Sequence, residues 1–263
     1  MVKKISRIAV GVEYDGTVYK GFQKQKSTQK TIQGLIDNAL SQVADHKIKT
    51  ICSGRTDSGV HAYCQTLHFD TTSSRENKSW VQGGNSLLPE DIRFIWVRKV
   101  KDDFHSRFSA ISRTYRYIVR NSSLPSALNR NRHLWIKGDL DLVGMRRASS
   151  YLIGERDFTS FRSSSCQSKT SFRHIHSIEI KKKGDLILFD ITANSFLQNM
   201  VRIIIGTLLE VGSKKITPKK VKLILEAKDR KLAGTTTSPK GLYFVRTSYL
   251  KKFKLPVDSN FLI

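Results

Sequence analysis

Two rhythms of apolar residues alternate along this chain, and their order limits the folds it can adopt. Alternation with period two marks strands, and recurrence every three or four residues marks helices. Residues 8–14 read as a strand closed by Asp15 and Gly16. Ile32, Leu35, Ile36, Ala39, Leu40 and Val43 recur at helical spacing. Strands are expected at 48–51 and 65–69, on either side of a glycine-bracketed turn. A helix over 80–87, stopped before Pro89, and a strand over 92–100 follow. The order strand–helix–strand–strand–helix–strand is that of a ferredoxin-like unit.

The second half repeats this order loosely, without residue identity. A strand is expected over 112–119, and a helix over 140–153 after a long loop containing Pro125. Strands over 174–180 and 186–192 join at Lys183, Gly184 and Asp185. Leu197, Met200, Val201, Ile204, Leu208 and Val211 mark another helix, with Ser195 and Gln198 as a capping box and Gly212 as its stop. A short helix over 219–227 and a strand over 242–249 close the chain. The expected class is α+β: two ferredoxin-like-related subdomains, 1–104 and 105–263. Their antiparallel or mixed sheets would join around a central basic cleft, with 104–110 as the hinge.

Composition narrows the partner. Among 263 residues, 46 are Lys or Arg and 22 Asp or Glu, a net charge of +24. The excess is dispersed over 107–120, 130–147 and 214–231 rather than confined to a tail. Dispersed basicity in a folded chain points to a polyanion, first of all nucleic acid; the plainer alternative is a lysine-rich background. No basic helix has a strongly apolar opposite face, which argues against a membrane partner. Neither a signal region nor a run of membrane-spanning length is present. Three cysteines without a C-x-x-C pair give no zinc ligand set and no disulfide framework, and a reducing cytoplasm is expected. Cys52 and Cys64 fall in strand-like runs and read as core thiols.

The turn between the two central strands reads Gly54, Arg55, Thr56, Asp57, Ser58, Gly59, Val60, His61, Ala62. Both glycines can take φ > 0, which most other residues resist, and so let the backbone turn tightly. Such a turn is either a solvated hairpin or a loop that presents Arg55 and Asp57 for chemistry. Tyr115 and Tyr117 share a strand face by period two. Arg202 interrupts an apolar helical run. It either snorkels to water or points inward, where it needs a carboxylate, with Asp57 the attractive partner.

The turn at 54–61 resembles the active-site signature of the TruA family of tRNA pseudouridine synthases. Residues 104–110, 113–117, 194–202 and Gly241 with Leu242 match the family's other segments in order, so the resemblance runs through nearly the whole chain. Thr237, Ser238, Pro239 and Lys240 depart from the Ala-Pro-Ala type sequence that many members carry there. The resemblance implies the pseudouridine synthase fold and an isomerase converting uridine to pseudouridine in the anticodon stem-loop of tRNA. It implies no cofactor and no metal, because neither redox change nor net group transfer occurs, and a homodimer spanning one tRNA. By the same resemblance Asp57 is the nucleophile and Arg202 its ion-pair partner. Tyr115 stacks on the target base, and Leu242 is an apolar wall. Arg55 fills the space left by the extruded base. Arg75, Phe104, His105, Ser106, Arg107, Phe108 and the loop Ser165, Cys166, Gln167, Ser168 and Lys169 lie against RNA.

Two rival readings remain at this level. A non-catalytic RNA-binding protein of duplicated ferredoxin-like units explains the charge, but leaves a carboxylate on a phosphate-facing loop unexplained. A metal-dependent hydrolase using Asp57 and His61 lacks a third ligand, since Asp70 has no motif around it.

Overall fold

The computed structural model describes residues 4–28 and 30–256. They fall into two compact units, one of 4–113 with 243–256 and one of 114–242. In chain order the elements are β1 (Ser6–Tyr14), α1 (Ile32–Ala44), β2 (Ile51–Cys52), β3 (His61–Thr71), α2 (Asn77–Leu87), β4 (Ile92–Val100) and β5 (Ala110–Asn121). There follow β6 (Leu134–Ile136), α3 (Leu142–Ser150), β7 (Gly154–Asp157), β8 (Phe172–Lys183), β9 (Leu186–Ala193), α4 (Met200–Gly212), α5 (Pro218–Ala227) and β10 (Leu242–Tyr249).

In the first unit β1 lies between β4 and β3, antiparallel to both, and β2 pairs antiparallel with β3. The order β4-β1-β3-β2 is the ferredoxin-like order expected from the sequence. β10 adds a parallel partner to β3 at Tyr243↔His61 and Phe244↔Ala62. The buried face of α1 carries Ile32, Ile36 and Leu40, as its period requires. Trp80 of α2 meets Phe69 of β3 edge-on, with ring centres 5.2 Å apart. The side chain of Asn85 clamps α2 to β4 by bonding both the N–H and the carbonyl of Phe94.

β2 is shorter than the expected strand because the backbone before it is already engaged. Asp37 Oδ1 accepts from the Thr50 N–H and Ser41 Oγ from the Ile48 N–H, so helix side chains occupy those donors in place of a strand partner. The segment expected as a hinge is bound into this unit instead. Phe104 is fully buried, edge-on to Tyr249 and Phe253 at 5.1 Å each.

In the second unit the strand order is β5-β9-β8-β7, with β6 parallel to β5. Arg116 of β5 and Asp190 of β9 form a bidentate pair at 2.7 and 2.8 Å. α4 is buried along most of its length. The expected capping box does not form. Asn199 is the N-cap in a left-handed conformation (φ 62°), and the helix starts at Met200. Asn194 Oδ1 accepts instead from the N–H groups of Ser195 and His174, which organises the chain just upstream. α4 does end at Gly212, but the left-handed residue beyond it is Lys214. β6 falls in the long loop expected before α3, and β7 begins just beyond the helix expected over 140–153; three or four residues of an edge strand carry no readable period. Among the described residues no helix is long and apolar enough to cross a membrane. Each unit combines helices with a sheet, and the class is α+β.

Candidate active site

Residues 53–60 link β2 to β3 in the first unit, and polar bonds fix them. Gly59 uses a positive φ (79°), whereas Gly54 does not. Gly54 is held through its carbonyl, which accepts from the side-chain amide of buried Gln65; Gln65 also accepts from Ser53 Oγ. Thr56 is buried, with its hydroxyl 2.7 Å from Tyr14 Oη and its carbonyl accepting from the Phe22 N–H at 3.0 Å. Burial pushes the Tyr14 phenol well above its usual range, so it remains a neutral partner for that hydroxyl. Ser58 Oγ donates to the Tyr19 carbonyl at 2.9 Å, and the Val60 N–H closes the turn on the Asp57 carbonyl at 3.2 Å. The neighbours of Asp57 on both sides are thus anchored. Asp57 itself is half-buried, and Arg55 is exposed.

The second unit holds Arg202, Tyr115 and Leu242. Arg202 is half-buried on α4. Its Nε donates to the Thr237 carbonyl at 2.7 Å and its Nη1 to Asn199 Oδ1 at 2.9 Å. Thr237 returns the contact, donating from its N–H and its hydroxyl to the Arg202 carbonyl. The segment that departs from the family pattern therefore carries the tie that orients this arginine. Tyr117 is fully buried and donates to the Ser238 carbonyl at 2.7 Å, and burial pushes its phenol up to about 12. Tyr115, on the same face of β5, packs edge-on against Phe196 at 5.0 Å. Leu242 is buried at the start of β10.

The residues expected against RNA divide by exposure. Arg55, Arg75, Arg107 and Phe108 are exposed, and His105 is half-buried. The Phe108 ring stacks on His105 at 4.3 Å, and the Arg107 guanidinium lies 5.6 Å from the Phe108 ring centre. Phe104 and Ser106 show no surface and serve as anchors. Ser106 Oγ lies 2.9 Å from His68 Nδ1 and donates to the Ile51 carbonyl at 2.7 Å. Burial, with His105 and Arg7 nearby, lowers the His68 pKa to about 4, so this imidazole is neutral at pH 7.

In the second unit Ser165, Gln167 and Lys169 are exposed, Ser168 is half-buried and Cys166 is buried. Arg162 and Arg173 hold that loop from beneath, donating to the Cys166 carbonyl at 2.7 Å and to Ser168 Oγ at 2.6 Å. Cys52 and Cys166 differ in ionisation. Burial raises the Cys52 thiol to about 11. The Cys166 thiol lies below its usual value despite burial, because the backbone N–H groups of Gln198 and Ser168 and the two arginines favour its anion.

Sequence reasoning did not find the polar ties that position the turn: Tyr14, Phe22, Ser53 and Gln65. These join residues far apart in the chain and impose no period; the alternation in β3 is the one local sign that Gln65 faces inward. Among the described residues no group of three or more His, Cys, Asp or Glu is placed to hold a metal ion.

A model of one family, described as tRNA pseudouridine synthase, matches residues 10–109 and 148–249. Relatives named tRNA pseudouridine synthase A are similar to this chain over nearly its whole length. That of Alcanivorax borkumensis is 46% identical over 96% of this chain and 94% of its own. That of Methylococcus capsulatus is 44% identical over 97% and 94%. That of Legionella pneumophila (strain Lens) is 47% identical over 95% of each. A basic α+β chain with an anchored Arg-x-Asp turn fits an enzyme that acts on RNA. The chain belongs to the tRNA pseudouridine synthase family, isomerases of uridine in tRNA.

Proposed function

We propose that this protein isomerises uridine to pseudouridine in the anticodon stem-loop of tRNA, with Asp57 as the nucleophile. The observation that carries the reading is the immobilisation of the turn: Thr56 and Ser58 are each tied down, so the half-buried carboxylate between them has a fixed origin. A carboxylate can attack an electrophilic carbon or stabilise positive charge on the ribose, and it must be ionised for either. Arg202 is the guanidinium assigned to keep it so. In support, Arg202 is fixed in its own unit by two oxygen acceptors rather than extended freely into water.

Pseudouridine formation breaks the N1–C1′ bond, joins C1′ to C5, releases the C5 hydrogen as a proton to solvent and protonates N1. Substrate and product are isomers with no net oxidation or reduction, so a redox cofactor has no role. Tyr115 is assigned to stack on the base and Leu242 to exclude water from the ribosyl centre. A stacked base must first leave the stem, at a cost of a few kcal/mol. Exposed Arg55, two residues before Asp57, is placed in the sequence to occupy the gap. The exposed cations and the Phe108–His105 stack suit backbone and unpaired-base contacts. A cytoplasmic homodimer acting on one tRNA completes the reading.

Tritium release from tRNA carrying 5-tritiated uridine tests it. Release in proportion to pseudouridine formed is expected. Tight tRNA binding with no release would leave only the RNA-binding alternative.

A further inference from the structure

Behind the turn that carries Asp57 lies an ionisable pair with no part in the chemistry assigned above. His61, the first residue of β3, is 1% exposed, and its Nδ1 is 2.9 Å from Asp15 Oδ1. The imidazole stacks on Tyr243 at 4.7 Å, and Tyr63 stacks on the same phenol ring at 5.1 Å. Asp15 Oδ1 also accepts from the Thr17 N–H at 3.0 Å and the Thr17 hydroxyl at 2.6 Å. The Gly16 N–H lies 3.2 Å from the same imidazole nitrogen. A carboxylate oxygen only accepts, so the Asp15 contact calls for a hydrogen on Nδ1, whereas the Gly16 N–H donates to Nδ1 in the other tautomer.

Backbone contact reinforces the pair. A Cβ on Gly16 would stand 1.9 Å from the Val60 carbonyl oxygen, so the chain at 15–16 lies directly on the end of the turn. Residues 14–22 therefore grip the turn on both sides of Asp57: Tyr14 and Phe22 at Thr56, Tyr19 at Ser58, and Asp15 at His61.

We propose that the Asp15–His61 pair is a positioning clasp for the reaction. It fixes the C-terminal end of the turn, sets the direction of the Asp57 carboxylate, and acts on turnover rather than on tRNA affinity. The proposal rests on Asp57 being the reacting group. Displacing a reacting atom by about 1 Å can cost two orders of magnitude in rate without altering binding.

The test compares the whole protein with Asp15→Ala, Asp15→Asn and Asp57→Asn by tritium release, tRNA filter binding and thermal melting. Asp15→Ala is expected to lower kcat by about 30-fold with KM and Kd within about threefold, the split that misplacement of a reacting group produces. Asp15→Asn keeps an oxygen acceptor for Nδ1–H and should return kcat to within about fivefold of wild type. A merely structural pair would lower the melting temperature yet leave kcat per folded enzyme unchanged, which overturns the proposal. So does a loss confined to KM or Kd. If Asp15→Ala does not fold, Thr17→Val, which removes one donor from Asp15, must reduce kcat selectively; an unchanged kcat there overturns the clasp. Asp57→Asn separates the two levels. An active Asp57→Asn defeats the nucleophile assignment, whereas an inactive one beside a fully active Asp15→Ala defeats only the clasp.

Discussion

In the first unit Asp57 stands on an irregular turn whose neighbours are held by hydroxyl and amide bonds from Tyr14, Phe22, Tyr19 and Gln65. In the second unit Arg202 stands on α4 among Val201, Ile203, Ile204 and Ile205, all buried. One charged group is placed by directional polar bonds, each contributing about 1 kcal/mol net. The other is carried by a closely packed apolar helix, and its guanidinium is oriented there by bonds to the Thr237 carbonyl and Asn199 Oδ1. The turn should therefore respond to the loss of single hydrogen-bond partners, and the helix to changes of volume.

The largest effect away from the nucleophile is expected at the guanidinium. Arg202→Ala should lower kcat by about 100-fold or more while tRNA Kd stays within about threefold, as for loss of one electrostatic partner at a reacting centre. Tritium release alongside filter binding checks this; loss of binding with intact chemistry would make Arg202 an RNA contact.

Next comes the packing of α4. A Cβ at Gly206 would lie 2.0 Å from the Thr235 carbonyl oxygen, two residues before the Thr237 that orients Arg202. Gly206→Ala should cost about 2 kcal/mol by overpacking, read from urea unfolding. A variant as stable as wild type would show that α4 is not volume-limited.

The smallest effect concerns His68, the buried partner of Ser106. His68 has a folded-state pKa of about 4, below the ordinary value of 6.5. The unfolded chain thus binds the extra proton first, so the stabilising contribution is complete above 6.5 and is lost as pH falls toward 4. Between pH 7 and pH 5.5 the loss from this group should be about 1 kcal/mol. Urea unfolding at both pH values should show a smaller difference for His68→Gln; an undiminished difference would assign the slope to other groups.

The sequence made the packed parts legible and the polar parts obscure. β1, α1 and α4 lie where their apolar periods put them, because one buried face repeats along each. β2 contracts because Asp37 and Ser41 take its backbone donors, and no local pattern announces that. The capping box fails because Asn194 and the left-handed Asn199 shape the start of α4. At the turn, the glycine bracket was visible, yet only Gly59 uses a positive φ. Gly54 is fixed by Gln65, and His61 by Asp15, through ties that no spacing reveals. Phe104 and Ser106 sit in a segment whose basic neighbours suggest surface, but both are interior.

The most direct measurement is single-turnover conversion of tRNA by Asp57→Asn, a substitution that keeps the size of the side chain and removes its charge. Conversion at least 1,000-fold slower than wild type (about 4 kcal/mol), with tRNA affinity within about threefold, is what an ionised nucleophile at this position requires. Conversion at the wild-type rate would place the chemistry on another group.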